Sequence, residues 1–279
     1  MSRKVTLHLA IGVIAYFCIQ SCGQPILSES KQQKLTITGA STIAPLVSEL
    51  GKRFEQKNPG TRIDVHTGGS ARGLADARQQ LSDIGMVSKA LTQEEQKGMR
   101  VFLIGRDGIS VIVHADNPLD KIVKNQVVDV YSGKIKNWKE LGGKDVPITT
   151  VHKAEGRSTL NLFLKYFGVD NKAVKADVVI GDDQQGIKTV AGNPNSIGYV
   201  SIGSAQQDIN QGAKVKLLSL DGIEATNTTV EDGSFPLLRQ LNLVTKGEPT
   251  RLTKEFIDFA RAKENHDILR KENFVPAKN

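Results

Sequence analysis

Aromatic residues are scarce, 5% of 279 with a single Trp at 138, too few for a surface that stacks nucleic-acid bases. The basic excess, 37 Lys and Arg against 30 Asp and Glu, is spread along the chain rather than gathered in blocks, so no nucleic-acid partner is expected. Cysteine occurs only at 18 and 22, and the five His residues include no pair at ligand spacing. No metal site and no cofactor are therefore expected. There is no G-x-S-x-G nucleophile elbow, and the S-x-x-K match from Ser28 to Lys31 falls in a polar leading segment. Gly68 and Gly73 have the spacing of P-loop glycines, but Leu74 and Ala75 follow where Lys and Ser/Thr are required. These absences point away from an enzyme.

The longest apolar run is also short. Val5–Ile19 has fifteen residues, below the ~20 that cross a bilayer comfortably, and it follows Arg3 and Lys4. That is the make-up of an export signal. It ends in Ile19-Gln20-Ser21-Cys22, which resembles the lipobox of bacterial lipoproteins, where the Cys is lipidated and becomes the new N-terminus. The expectation is a signal peptide at 1–21, lipidation at Cys22, and a polar tether over 22–33. Cleavage there leaves Cys22 as the sole Cys, which cannot form an internal disulfide, and lowers the formal charge from +7 to +5. The protein is expected outside the cytoplasm, periplasmic or at the cell surface, anchored to a membrane by lipid.

From Lys34 onward, strand-like and helix-like runs alternate. Lys34–Thr38, Thr61–His66, Asp83–Val87, Ile109–His114, Pro147–Val151, Ile197–Ser201 and Leu241–Thr245 read as strands. Helical stripes run through Ile43 to Phe54, Leu74 to Leu81, Leu160 to Phe167, Ile187 to Val190, and Leu252 to Ala260. Asn58-Pro59-Gly60 stops the first, Gly168 caps the third, and Asp182 or Asp183 can cap the fourth. Alternating β and α units imply an α/β fold with a largely parallel sheet covered on both faces. Three segments place Gly and hydroxyl residues between a strand and a helix start: Gly39-Ala40-Ser41-Thr42, Gly68-Gly69-Ser70 and Gly156-Arg157-Ser158-Thr159. A helix N-terminus offers free N–H groups and partial positive charge, so several converging on one point would hold an oxyanion. The plainer reading is that each Ser or Thr caps its own helix.

These segments, with Asp83-Ile84-Gly85-Met86-Val87-Ser88 and Ser196-Ile197-Gly198-Tyr199-Val200, come in an order that resembles the phosphate-binding proteins of high-affinity phosphate ABC transporters. The resemblance runs from about Lys34 to Pro276. It implies a two-lobed type II periplasmic-binding-protein fold, with lobe 1 at 34–112 and 240–279 and lobe 2 at 113–239. Ile109–His114 and Leu241–Thr245 would be the two crossing strands of the hinge. It further implies a monomer that captures inorganic phosphate in the cleft, delivers it to an ABC permease and performs no reaction.

By the same resemblance Ser41, Thr42, Ser70, Ser158 and Thr159 are phosphate-binding, with Lys153 where many members have an Arg. Arg157 replaces a Ser of the usual Gly-Ser-Gly-Thr loop, and Ser88 stands where several members carry a ligand-contacting Asp. Losing that acceptor implies weaker discrimination between phosphate and sulfate, unless Glu155 or Asp107 substitutes for it. The rival readings are another tetrahedral oxyanion such as sulfate, molybdate or tungstate, a secreted phosphatase, and a role in sensing or adhesion.

Overall fold

The computed structural model describes residues 32–277; Cys22, the expected signal peptide and nearly all of the tether lie outside that range. β1 (Gln33–Gly39) leads into α1 (Ala44–Lys57), β2 (Thr61–Thr67) into α2 (Ser70–Arg78), and β3 (Ile84–Val87) into the single turn α3 (Gln93–Gln96). β4 (Met99–His114), β5 (Lys121–Ile122), α4 (Lys124–Tyr131), β6 (Thr149–Lys153) and α5 (Ser158–Phe167) follow. Then come β7 (Val178–Ile180), α6 (Asp183–Gly192), β8 (Ser196–Ser201), α7 (Ile202–Asn210), β9 (Val215–Leu217) and β10 (Ser219–Leu220). α8 (Asn227–Glu231), β11 (Leu238–Lys246), α9 (Arg251–Arg261), α10 (His266–Lys271) and β12 (Val275–Pro276) complete the order.

Local chemistry sets the helix limits. α1 starts with Pro45 in its first turn, buries Leu46, Val47, Leu50 and Phe54, and stops where the Asn58 amide donates to the Phe54 carbonyl. α5 buries Leu160, Phe163 and Phe167 and ends at Gly168, whose φ of 67° a glycine adopts without Cβ strain. α2 is shorter than its stripe suggests. It ends at Arg78, Gln80 turns the chain at φ 58°, and Leu81 is left 68% exposed rather than joining the apolar face.

The main sheet runs β2-β1-β3-β11-β4-β8-β6-β7. β2, β1 and β3 are parallel at one end, and β8, β6 and β7 are parallel at the other. Between them β11 and β4 run antiparallel to their neighbours and to each other. The expected hinge segments lie in these two strands. β4 is much longer than Ile109–His114, with sixteen residues, because Met99–Gly108 pairs along the whole of β11. β6 lies two residues later than hydropathy suggests, which keeps each side chain on its face and puts Lys153 at the strand's end.

Two principal cores meet along β4. Ile104 packs with Leu35, Ile37, Leu46, Leu243 and Phe256, whereas Ile109, Val111 and Val113 pack with Tyr131, Phe163 and Tyr199. Smaller clusters cover the opposite faces, Leu74 with Val87 and Val244 on one side and Val151 with Ile187 and Val200 on the other. α2 lies almost on the bare backbone of β1 and β3. A Cβ on Gly73 would fall 2.7 Å from Gly39 Cα and 2.8 Å from the Met86 carbonyl oxygen, so only Gly allows this approach. The strands' C-terminal ends and the helix starts of both regions are thereby brought to one place.

Candidate functional site

That place is a small cavity lined by Ser41, Thr42, Ser70, Ser88, Lys153, Arg157, Ser158 and Thr159, together with Asp183. All eight residues singled out from the sequence as anion ligands are brought together. α1, α2 and α5 all begin at this cavity, and none has a side-chain cap: the cap positions are Ile43, Gly69 and Arg157. Ser70 and Ser158 are instead the first residues of their helices and turn inward. The plainer reading of these hydroxyls as caps therefore fails. First-turn N–H groups at such starts have no intrahelical partner and point along the axis toward the cavity.

The hydroxyls connect across the cleft. Ser70 Oγ accepts from the Ser88 backbone N–H at 3.1 Å, and Ser88 Oγ lies 2.6 Å from Ser158 Oγ. Thr42 Oγ1 donates to Asp183 Oδ2 at 2.8 Å. Arg157 reaches over the rim: a Cβ on Gly69 would lie 3.3 Å from its Cδ, and one on Gly181 3.5 Å from its Nη2. Glycine at 69 leaves room for the Arg157 side chain, whereas the contact at 181 would be an ordinary one.

Two charged residues at the cavity are almost completely buried. Lys153 Nζ is 2.7 Å from Asp183 Oδ1, an ion pair, yet neither atom has an aligned hydrogen-bond partner. Burial lowers the Lys153 pKa, and the nearby Asp183 charge only partly offsets it. Burial acts to raise the Asp183 pKa, but the charges of Lys153 and Arg239 prevail and hold the carboxyl below its ordinary value. Asp183 also opens α6, whose N-terminus favours a negative charge, while its neighbour Asp182 does the capping by accepting from the Gln185 N–H at 2.8 Å. Behind Lys153, its backbone N–H donates to Tyr199 Oη at 3.2 Å, and that hydroxyl lies 3.0 Å from His152 Nδ1. The ring of Tyr199 stacks on Phe163 at 3.9 Å.

Neither substitute acceptor considered for the missing Asp occupies the cavity. Asp107 is bound to Arg239 and Ser201, and Glu155 is exposed beside Asn171. The carboxylate comes from Asp183, which the sequence showed only as one of two adjacent capping candidates. Arg239, at the start of β11, was also missed; its partners are Asp107, Thr159 and Thr42.

The profile of the PBP superfamily domain matches residues 27–264. The chain belongs to the PBP superfamily. Within it, the phosphate-binding protein PstS of Bacillus subtilis is 32% identical over 255 residues, spanning 89% of this chain and 82% of that protein. This likeness places the chain in the family of phosphate-binding proteins. Among solved structures, a putative phosphate ABC transporter substrate-binding protein from Clostridium perfringens, with bound phosphate, is 32% identical with a TM-score of 0.82. It covers 88% of this chain and 100% of that one. An ABC-type phosphate transport receptor from Vibrio cholerae is 25% identical with a TM-score of 0.71, over 87% of this chain and 100% of that one. The fold is the two-lobed type II periplasmic-binding-protein fold.

Proposed function

We propose that this protein captures inorganic phosphate between its lobes, 34–112 with 240–279 and 113–239, and delivers it to an ABC transporter permease. It works outside the cytoplasm by closing on its ligand, as a monomer, and catalyses no reaction. The observation that supports this reading is a buried cation and carboxylate, Lys153 and Asp183, lining the cavity at which the three Gly/hydroxyl helix starts meet. Beyond the N–H turned toward Asp183 the ammonium has two more to donate, the carboxylate oxygens have lone pairs to spare, and both residues line one small cavity. Phosphate near neutral pH satisfies both, with P–O⁻ for Lys153 and P–OH for Asp183. Sulfate satisfies only the first and sets its lone pairs against a carboxylate in a dry site.

Asp183 thus replaces the acceptor that Ser88 cannot supply, and the weak discrimination expected from Ser88 gives way to strong discrimination. A site built to hydrogen-bond one ligand hydroxyl rejects the analogue lacking it by about 10⁴-fold or more. Calorimetric titration of the purified protein with phosphate, arsenate, sulfate and molybdate tests this. Phosphate and arsenate should bind, and Asp183→Asn should narrow the phosphate-to-sulfate ratio by at least tenfold. Sulfate binding as tight as phosphate in the wild type would overturn the reading.

The lipid anchor belongs to the same proposal. With residues 1–21 removed, Cys22 is the one Cys left and has a use as a thioether, and a lipid with more than one acyl chain holds a protein stably at a membrane. The mass of the N-terminal peptide decides it.

A further inference from the structure

Arg239 contacts two residues that line the cavity without lining it itself. It lies on β11 directly opposite Asp107 on β4, so the pair sits on the two strands between the sheet's parallel ends. Both side chains are 1% exposed. The guanidinium places Nε and Nη2 on Asp107 Oδ2 at 2.8 and 2.6 Å. Its far side donates from Nη1 to Thr159 Oγ1 at 2.9 Å and from Nη2 to Thr42 Oγ1 at 3.4 Å. Asp107 is occupied in turn, accepting from Ser201 Oγ at 2.7 Å and the Gly203 N–H at 3.2 Å where β8 meets α7. Arg239 cannot swing toward a ligand without leaving a buried carboxylate unpaired.

A hydroxyl has one hydrogen to give. Once its oxygen accepts from a guanidinium, that hydrogen must point elsewhere. For Thr42 it goes to Asp183 Oδ2, and for Thr159 the direction left is the cavity. Thr42 comes from the loop before α1 and Thr159 from the start of α5, one on each side of the cleft. We propose that Arg239 is a positioning residue for oxyanion binding. It holds Thr42 and Thr159 as acceptors, so that their hydrogens serve the site, and it completes the arrangement only when both lobes rest on the same guanidinium. The proposal rests on the reading above that the cavity takes an oxyanion.

A double-mutant cycle tests it, with inorganic phosphate as the probe and calorimetry as the readout. Arg239→Met is paired with Asp107→Asn so that no buried charge is left alone, and melting temperatures confirm folding. Thr159→Val should weaken phosphate binding about ten- to a hundredfold in the wild type and less than threefold in the Arg239→Met/Asp107→Asn protein. Equal losses in both backgrounds would overturn the proposal, because Thr159 would then act without Arg239. Should the paired variant not fold, Arg239→Lys takes its place in the cycle. It keeps the charge but not the fork, so it should bind at least tenfold more weakly, and wild-type affinity would overturn the proposal. If the wild type binds sulfate but not phosphate, the phosphate reading falls while the same cycle, run with sulfate, still judges Arg239. If it binds neither anion, both fall.

Discussion

Hydroxyl residues at helix starts in this protein fall into two groups. Away from the cavity, Thr92, Ser201 and Thr226 each accept a hydrogen bond from the backbone of the helix they precede, and Asn137 does the same for a 3-10 turn. α4, α9 and α10 begin without such a bond, with no hydroxyl of the cavity near their starts. At the cavity, α1, α2 and α5 also begin without one, although hydroxyl residues surround each start, and α6 is capped by a carboxylate, Asp182, rather than by a hydroxyl. Those hydroxyls face one another across the cleft. The same residue type is spent on the helix in one region and kept for a ligand in the other, so Ser or Thr before a helix does not itself reveal which role it has.

The largest expected break in this contrast comes from Lys153→Met. It deletes the buried cation and leaves Asp183 with only Thr42 and the more distant Arg239. Removing one partner of a buried pair costs about 3–5 kcal/mol in stability. A lost bond to a charged group is worth about 1.5–3 kcal/mol, and 1.4 kcal/mol is tenfold, so phosphate affinity should drop about ten- to a hundredfold as well. Chemical denaturation and calorimetry read the two losses separately.

Hydroxyl deletions should separate the two groups directly. Ser70→Ala and Ser158→Ala should each weaken phosphate binding by about one to two powers of ten; Ser158→Ala should change the melting temperature little, whereas Ser70→Ala also orphans the Ser88 N–H and should cost about 1–3 kcal/mol in stability. Thr92→Ala and Thr226→Ala should cost about 0.5–2 kcal/mol in stability and leave affinity unchanged. If the cavity variants lost stability and kept affinity, the distinction drawn between the two kinds of helix start would collapse.

How much of this was legible in the sequence follows from the range of each interaction. Strand-loop-helix order, the ends of α1 and α5, and all three Gly/hydroxyl loops are local, and periodicity with turn chemistry located them. The first half of β4 was not legible, because Gly105-Arg106-Asp107-Gly108 reads as a turn. In the structure Gly105 makes room for the Val275 carbonyl, Gly108 for Ile202 and Val230, and Asp107 finds its partner 132 residues away. Arg239 and Asp183 were missed for the same reason. Nothing near them in sequence marks them, and Thr42 lies 197 and 141 residues from them respectively. Leu81 fits the stripe of α2, but the positive φ at Gln80 ends the periodicity one residue before it.

The smallest expected effect, and the most specific to the charged pair, is a divergence at alkaline pH. The folded-state pKa of Lys153 lies below its unfolded value of about 10.4, with burial as the main cause. Between those two values the unfolded chain binds more protons than the folded one, so this residue makes stability rise with pH. Asp183 has its pKa held down as well, so its contribution is present above the unfolded carboxylate range and is lost only in acid, far from this window. Burial also pushes the Tyr131 and Tyr199 phenols up and the His152 imidazole down, so none of these neighbours changes charge there. Phosphate binding needs the Lys153 proton, so affinity should fall across the window in which this residue stabilises the unliganded fold. Melting temperatures without ligand and phosphate titrations from pH 7 to 10, compared between wild type and Lys153→Met, isolate its share. The wild type should lose affinity with rising pH relative to the variant and gain stability relative to it. A wild type whose affinity and stability both fall in parallel with the variant's would mean that Lys153 does not hold the anion.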